Sequence, residues 1–142
     1  MFKKLVLWFT VFGILLLTLV WSAGCGINAQ ALTVKTGETF TIGVGQTAQI
    51  SGEDMTVTFN EVVSDSRAPS NVQAIWAGQA DSRVTITYKG STSTVVLRQS
   101  GAAEQGQDTF AGFTLTYSLS PYPVAGKEIP QKDYRLTVTV TK

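Results

Sequence analysis

Arg83-Val84-Thr85-Ile86-Thr87-Tyr88-Lys89-Gly90-Ser91-Thr92-Ser93-Thr94-Val95-Val96-Leu97-Arg98 sets the period of the chain. Val84, Ile86 and Tyr88 alternate with Arg83, Thr85 and Thr87, a repeat of two that puts apolar side chains on one face of an extended strand and polar ones on the other. Lys89-Gly90-Ser91-Thr92 then offers a hairpin connection into Thr94–Arg98. A fold assembled from such units needs a second sheet to cover the apolar faces.

The same period recurs on both sides. Toward the C-terminus, Gln99 to Asp108 is rich in Gly, Gln and Ala and is expected to be a flexible surface loop. Phe113, Leu115, Tyr117 and Leu119 alternate with Thr114, Thr116 and Ser118 until Pro121-Tyr122-Pro123 stops the strand, since neither Pro can donate to a ladder. Gly126 to Lys132 leads into a final strand carrying Tyr134, Leu136, Val138 and Val140 on one face. Toward the N-terminus, Phe40, Ile42 and Val44, then Ala48 and Ile50, then Met55, Val57 and Phe59 repeat the pattern, separated by Gly45-Gln46 and Ser51-Gly52-Glu53-Asp54. No segment after residue 25 has a helical period. About seven or eight strands with regular turn signals predict an all-β fold, an antiparallel β-sandwich of Ig-like size.

The first residues are of another kind. Met1-Phe2-Lys3-Lys4 precedes an almost unbroken apolar run from Leu5 to Val20, the layout of an export signal. Ser22-Ala23-Gly24-Cys25 ends on the single Cys of the chain and resembles the lipobox of bacterial lipoproteins, with Ser22 where that family usually has Leu. The resemblance implies a lipidated Cys25 and cleavage before it. The apolar run is also close to the ~20 residues that span a bilayer, so an uncleaved signal-anchor is the alternative. The domains expected are therefore a leader at 1–24, a lipid-anchored spacer at 25–37 and the sandwich at 38–142, although Leu32 and Val34 could equally begin a first strand. Either tether places the domain outside the cytoplasm, on the outer face of the cytoplasmic membrane or on an outer membrane where one exists.

Composition excludes several function classes. The chain has no His and no Cys beyond Cys25, which removes the commonest general base, the commonest metal ligand and the strongest nucleophile. Losing Lys3 and Lys4 with the leader leaves nine basic residues against 10 acidic, so no basic patch points to nucleic acid. No cofactor or metal is expected, and a monomer that is not an enzyme is. Glu53-Asp54 lacks the run of oxygen ligands a calcium site needs. Glu61 and Asp65 could in principle form a hydrolytic carboxylate pair, but their surroundings do not suggest one.

The alternation breaks at Asp65-Ser66-Arg67-Ala68-Pro69-Ser70-Asn71-Val72-Gln73-Ala74-Ile75-Trp76-Ala77-Gly78-Gln79-Ala80. Asp65 and Arg67 are expected to bond turn amides and to pair across the loop, with Pro69 stiffening it. Trp76 is expected as a core plug, the alternative being an exposed sugar platform. Tyr122, held between two prolines, suits either a packed corner or an exposed recognition tip.

This stretch, with Leu119-Ser120-Pro121-Tyr122-Pro123, Gly126-Lys127 and Asp133-Tyr134, is similar to a poorly characterised family of small bacterial secreted proteins and lipoproteins carrying an Asp-Ser-Arg-Cys-Pro…Cys-x-Trp-x-Gly motif. The resemblance implies a β-sandwich envelope domain and carries over no activity. Where that family has two Cys, this chain has Ala68 and Ala74, a paired replacement that suits a lost disulfide. The function expected is a noncatalytic, lipid-anchored cell-envelope module, structural or binding an envelope protein. The alternatives are a glycan- or peptidoglycan-binding module using exposed Trp76, Tyr122 or Tyr117, and an inhibitor of exported proteases. The last would require the 64–80 loop, the 99–109 loop and the Pro-Tyr-Pro turn to cluster at one end.

Overall fold

The computed structural model describes residues 31–142; the expected leader and Cys25, the expected lipidation site, lie outside the described residues. Nine strands follow in order: β1 (Leu32–Lys35), β2 (Thr39–Gly43), β3 (Thr47–Ser51), β4 (Met55–Asp65), β5 (Gln79–Tyr88), β6 (Ser91–Ser100), β7 (Gly106–Phe110), β8 (Phe113–Ser120) and β9 (Arg135–Thr141). They form a five-stranded sheet in the order β1-β3-β4-β5-β6 and a four-stranded sheet in the order β2-β9-β8-β7. All pairings are antiparallel except β1 with β3. The fold is the all-β sandwich that the alternation predicts.

The period of two decides which side chains meet between the sheets. Met55, Val57 and Phe59 of β4, with Val84 and Ile86 of β5, face Leu115 and Tyr117 of β8 and Leu136, Val138 and Val140 of β9 in one buried cluster. Tyr88 meets Phe113 edge-on, with ring centroids 5.4 Å apart. At roughly 1.5–3 kcal/mol for each large apolar side chain withdrawn from water, this cluster is the main stabilising term. Outward-facing threonines bond across strands instead, as in Thr39–Thr139 (2.7 Å), Thr41–Thr137 (2.9 Å) and Thr47–Thr58 (2.8 Å).

Two expectations change. Leu32–Lys35, placed in the spacer, pairs with β3 as an edge strand, so the sheet begins six residues before position 38. The expected 99–108 loop shrinks to 101–105, because β6 runs to Ser100 and β7 starts at Gly106. That makes β7 the strand for which the alternation gave no sign. Gly106 occupies its inward position because the Tyr117 ring lies where any Cβ would stand.

β4 is the longest strand, and its pairing with β5 shifts register between Phe59 and Glu61 and again between Val62 and Ser64. Such bulges increase twist and free ladder groups. β3 pairs only as far as Thr58. Beyond it the Gln131 side chain makes both bonds a neighbouring strand would make, Oε1 accepting from Val62 N (2.9 Å) and Nε2 donating to Val62 O (2.7 Å). The end of the sandwich reached by β4 is thus held by side chains where the sheet has run out.

Candidate functional site

The β4–β5 hairpin continues past Asp65 and Ala80 as a narrow two-stranded arm. Ser66 N donates to Gln79 O and Ala68 N to Ala77 O, both at 2.8 Å, which leaves Pro69 to Trp76 as the tip. Gly78 has φ +68°, and a Cβ there would overlap the Ser66 carbonyl, so the close approach of the arm's two sides requires glycine.

Two neighbouring segments lock onto this arm. Gly101 N donates to Gly78 O (2.9 Å), and a Cβ on Gly101 would overlap the Ala77 carbonyl. On the other flank Ser70 N donates to Pro123 O (3.0 Å) and Ala125 N to Asn71 Oδ1 (2.8 Å). Tyr122 Oη closes the circuit by donating to Gly101 O (3.0 Å). The 64–80 loop, the 101–105 loop and the Pro-Tyr-Pro turn therefore gather at one end of the sandwich.

Arg67 lies beneath all three. Its Nε donates to Asp65 Oδ1 (2.8 Å) and its Nη2 to Asp65 Oδ2 (2.7 Å), while Nη1 reaches Leu119 O (2.7 Å) and Nη2 also Pro121 O (3.0 Å). The Arg67 side chain is 0 % exposed and that of Asp65 6 %. The guanidinium carbon sits 4.7 Å from the centroid of the Tyr122 ring, a cation–π contact inside the cluster. A planar fork with five donors can serve a carboxylate and two carbonyls at once, which a Lys ammonium cannot.

Tyr134 completes the group by donating its hydroxyl to Asp65 Oδ2 (3.1 Å). Burial, and then the adjacent Asp65 carboxylate, push the Tyr134 phenol up to about 12. Asp65 is thereby committed on both oxygens, and Glu61 is paired with Arg83. The two carboxylates are parts of separate ion pairs rather than a facing acid and base. Among the described residues no group of His, Cys, Asp and Glu is placed to hold a metal ion.

The tip itself is apolar and open. Ile75 is 103 % exposed, Trp76 72 % and Val72 46 %. Trp76, expected as a core plug, is therefore corrected to an exposed residue. The hydrogen-bonded arm continues past the last sheet pair, Asp65 with Ala80, and carries the indole beyond the core. Pro69 is half-buried at the start of the tip, as is Ala68, while Ala74 is exposed. Tyr122 packs one face on Arg67 and remains 39 % exposed.

Tyr117, considered as an exposed ring, is corrected to a core residue: it is buried, with its hydroxyl donating to Asp108 Oδ2 (2.8 Å). Two other groups escaped the sequence reading. Buried Gln99 accepts from Leu119 N (2.8 Å) and donates to the carbonyls of Ala103 and Glu104, fixing the 101–105 loop, and Gln131 braces Val62. Gln99 follows Leu97 in the inward phase of β6, which was the available signal; Gln131 lies outside any strand and gave none. Beside the site an open groove of about 330 Å³ runs between Val62–Asp65 and Pro123–Tyr134.

Set against family models, curated proteins and solved structures, the chain matches none of them.

Proposed function

We propose that the protein is a noncatalytic, lipid-anchored module of the bacterial cell envelope, tethered outside the cytoplasm by an acylated Cys25 and acting by contact through the tip of the β4–β5 arm. The observation that carries this reading is the pairing of opposites at one site. Ile75 and Trp76 stand free in solvent on an arm whose base is buried, ion-paired and cross-bonded to two other segments. Exposed large apolar side chains on a rigid support are what a contact surface needs, because little conformational entropy is lost when they are covered. The residue types absent from the chain, His above all, support a role without catalysis.

The test has two arms. A lipid precursor should label the wild-type chain but not a Cys25→Ser variant, and only the wild type should fractionate with membranes. A photo-crosslinking residue at position 75, introduced in living cells, should capture an envelope component, whereas one at exposed Thr41 on the sheet face should not. Absence of any capture at position 75 would remove the tip from the proposal.

Inhibition of an exported protease is the second reading, favoured by the three segments that cluster at one end. A glycan platform retains only Trp76 of its three candidate rings, since Tyr117 is buried and Tyr122 is engaged by Arg67.

A further inference from the structure

β1 begins toward the end of the sandwich that carries the tip. β1 runs parallel to β3, with Leu32 opposite Ala48, and Ala48 is opposite Val57 of antiparallel β4. The chain entering β1 at Leu32 therefore comes from the end toward which β4 climbs, the end that carries the arm. Cys25 precedes Leu32 by seven residues, which span at most about 25 Å. From the level of Val57 to that of Asp65 is roughly 26 Å at strand rise, and the arm to Ala68 adds roughly 10 Å. A domain anchored at Cys25 can thus bring its tip to the membrane by leaning roughly 45° with the loop end down.

The surface at that end has the character a bilayer accepts. Of the three segments that meet there, residues 68–80 and 121–126 contain no Asp, Glu, Lys or Arg, and the 101–105 loop carries a single charge, Glu104. The charge beneath them, Arg67, is buried and paired with Asp65. Charged groups resist transfer toward a bilayer, whereas Trp is favoured at the lipid–water boundary, where its ring is half apolar and its N–H stays wet.

We infer that the Val72, Ile75 and Trp76 tip is a membrane contact, seated at the lipid–water interface of the bilayer that holds Cys25. The inference rests on the lipid-anchored reading and deepens it: the tip fixes the tilt of the domain, and one lipid-bearing residue plus one apolar wedge give two points of attachment. Weak single attachments become stable when paired in this way. The contact is apolar, so it is insensitive to salt and does not require anionic lipid.

Cleavage before Cys25 removes Trp8 and Trp21 and leaves Trp76 as the single tryptophan, a built-in probe. The mature lipidated protein is reconstituted into phosphatidylcholine vesicles, with and without lipid brominated on its acyl chains, and separated by flotation. The expected result is a blue-shifted Trp76 emission that brominated lipid quenches, that aqueous acrylamide reaches poorly, and that is unchanged by salt. Ile75→Asp, a change at a fully exposed position, should restore acrylamide access while the protein still floats. Protein that floats while Trp76 stays open to acrylamide and indifferent to brominated lipid overturns the contact and leaves the anchor standing; so does shielding that appears only when envelope proteins are added. Protein that does not float overturns the anchored reading and the orientation with it.

Discussion

The Arg67 guanidinium holds the Asp65 carboxylate at two points, 2.8 and 2.7 Å, and the same guanidinium spans to the carbonyls of Leu119 in the opposite sheet and of Pro121 just beyond it. The pair joins the last residue of β4 to the end of β8. Bringing both charges out of water costs several kcal/mol, which the four guanidinium hydrogen bonds to Asp65, Leu119 and Pro121 offset.

Removing one partner should therefore be expensive. Arg67→Ala leaves Asp65 and two carbonyls short of donors and is expected to destabilise the fold by about 3–5 kcal/mol. Arg67→Lys keeps the charge but cannot make the same fork, so it should recover only part of the loss. Urea unfolding at neutral pH measures both. An Arg67→Ala midpoint close to the wild type would show that the cluster is not what holds the three segments together.

The second brace is uncharged. Gln131→Ala frees the N–H and C=O of Val62, a residue only 6 % exposed, and should cost about 1–3 kcal/mol. Gln131→Leu preserves bulk and should not rescue. Hydrogen exchange at the Val62 amide gives a local check: protection there should fall in both variants well before protection in the centre of β5 changes.

The tip should behave in the opposite way. Trp76→Ala and Ile75→Ser remove side chains that touch little, so each is expected to shift stability by no more than about 0.5 kcal/mol. Both should nevertheless abolish the contact made by the arm. A Trp76→Ala variant that unfolds markedly more easily would mean that the indole packs on the domain.

What the sequence disclosed and what it hid have the same origin. A strand buried on one face must alternate, so β2, β4, β5, β8 and β9 announce themselves, and the Lys89-Gly90 turn of the β5–β6 hairpin is realised with φ of +48° and +79°. Edge strands bury less: β1 has one buried residue in four, and β7 puts a glycine where alternation would look for an apolar side chain. Trp76 was misplaced because its size argues for burial, whereas the length of the arm, set by hydrogen bonds that no local pattern reveals, carries it past the core. Asp65 and Arg67 were readable as a pair; that Arg67 would reach across to β8 was not, since that contact joins residues 52 apart in sequence.

Alkaline pH should loosen the same end of the molecule. A free tyrosine ionises near pH 10, while burial and the Asp65 carboxylate raise Tyr134 to about 12 in the folded chain. Burial and Asp108 raise Tyr117 as well. Raised phenol values mean that the folded state keeps protons that the unfolded state releases. The associated stability is therefore complete below about pH 10 and is lost as pH climbs through the folded-state values. Urea midpoints measured from pH 8 to 12 should fall steeply in the upper half of that range. Tyr134→Phe, which lacks the ionisable hydroxyl, should start lower at pH 8 because its bond to Asp65 is gone, then fall less steeply than the wild type. Parallel profiles for the two proteins would show that Tyr134 does not carry this dependence.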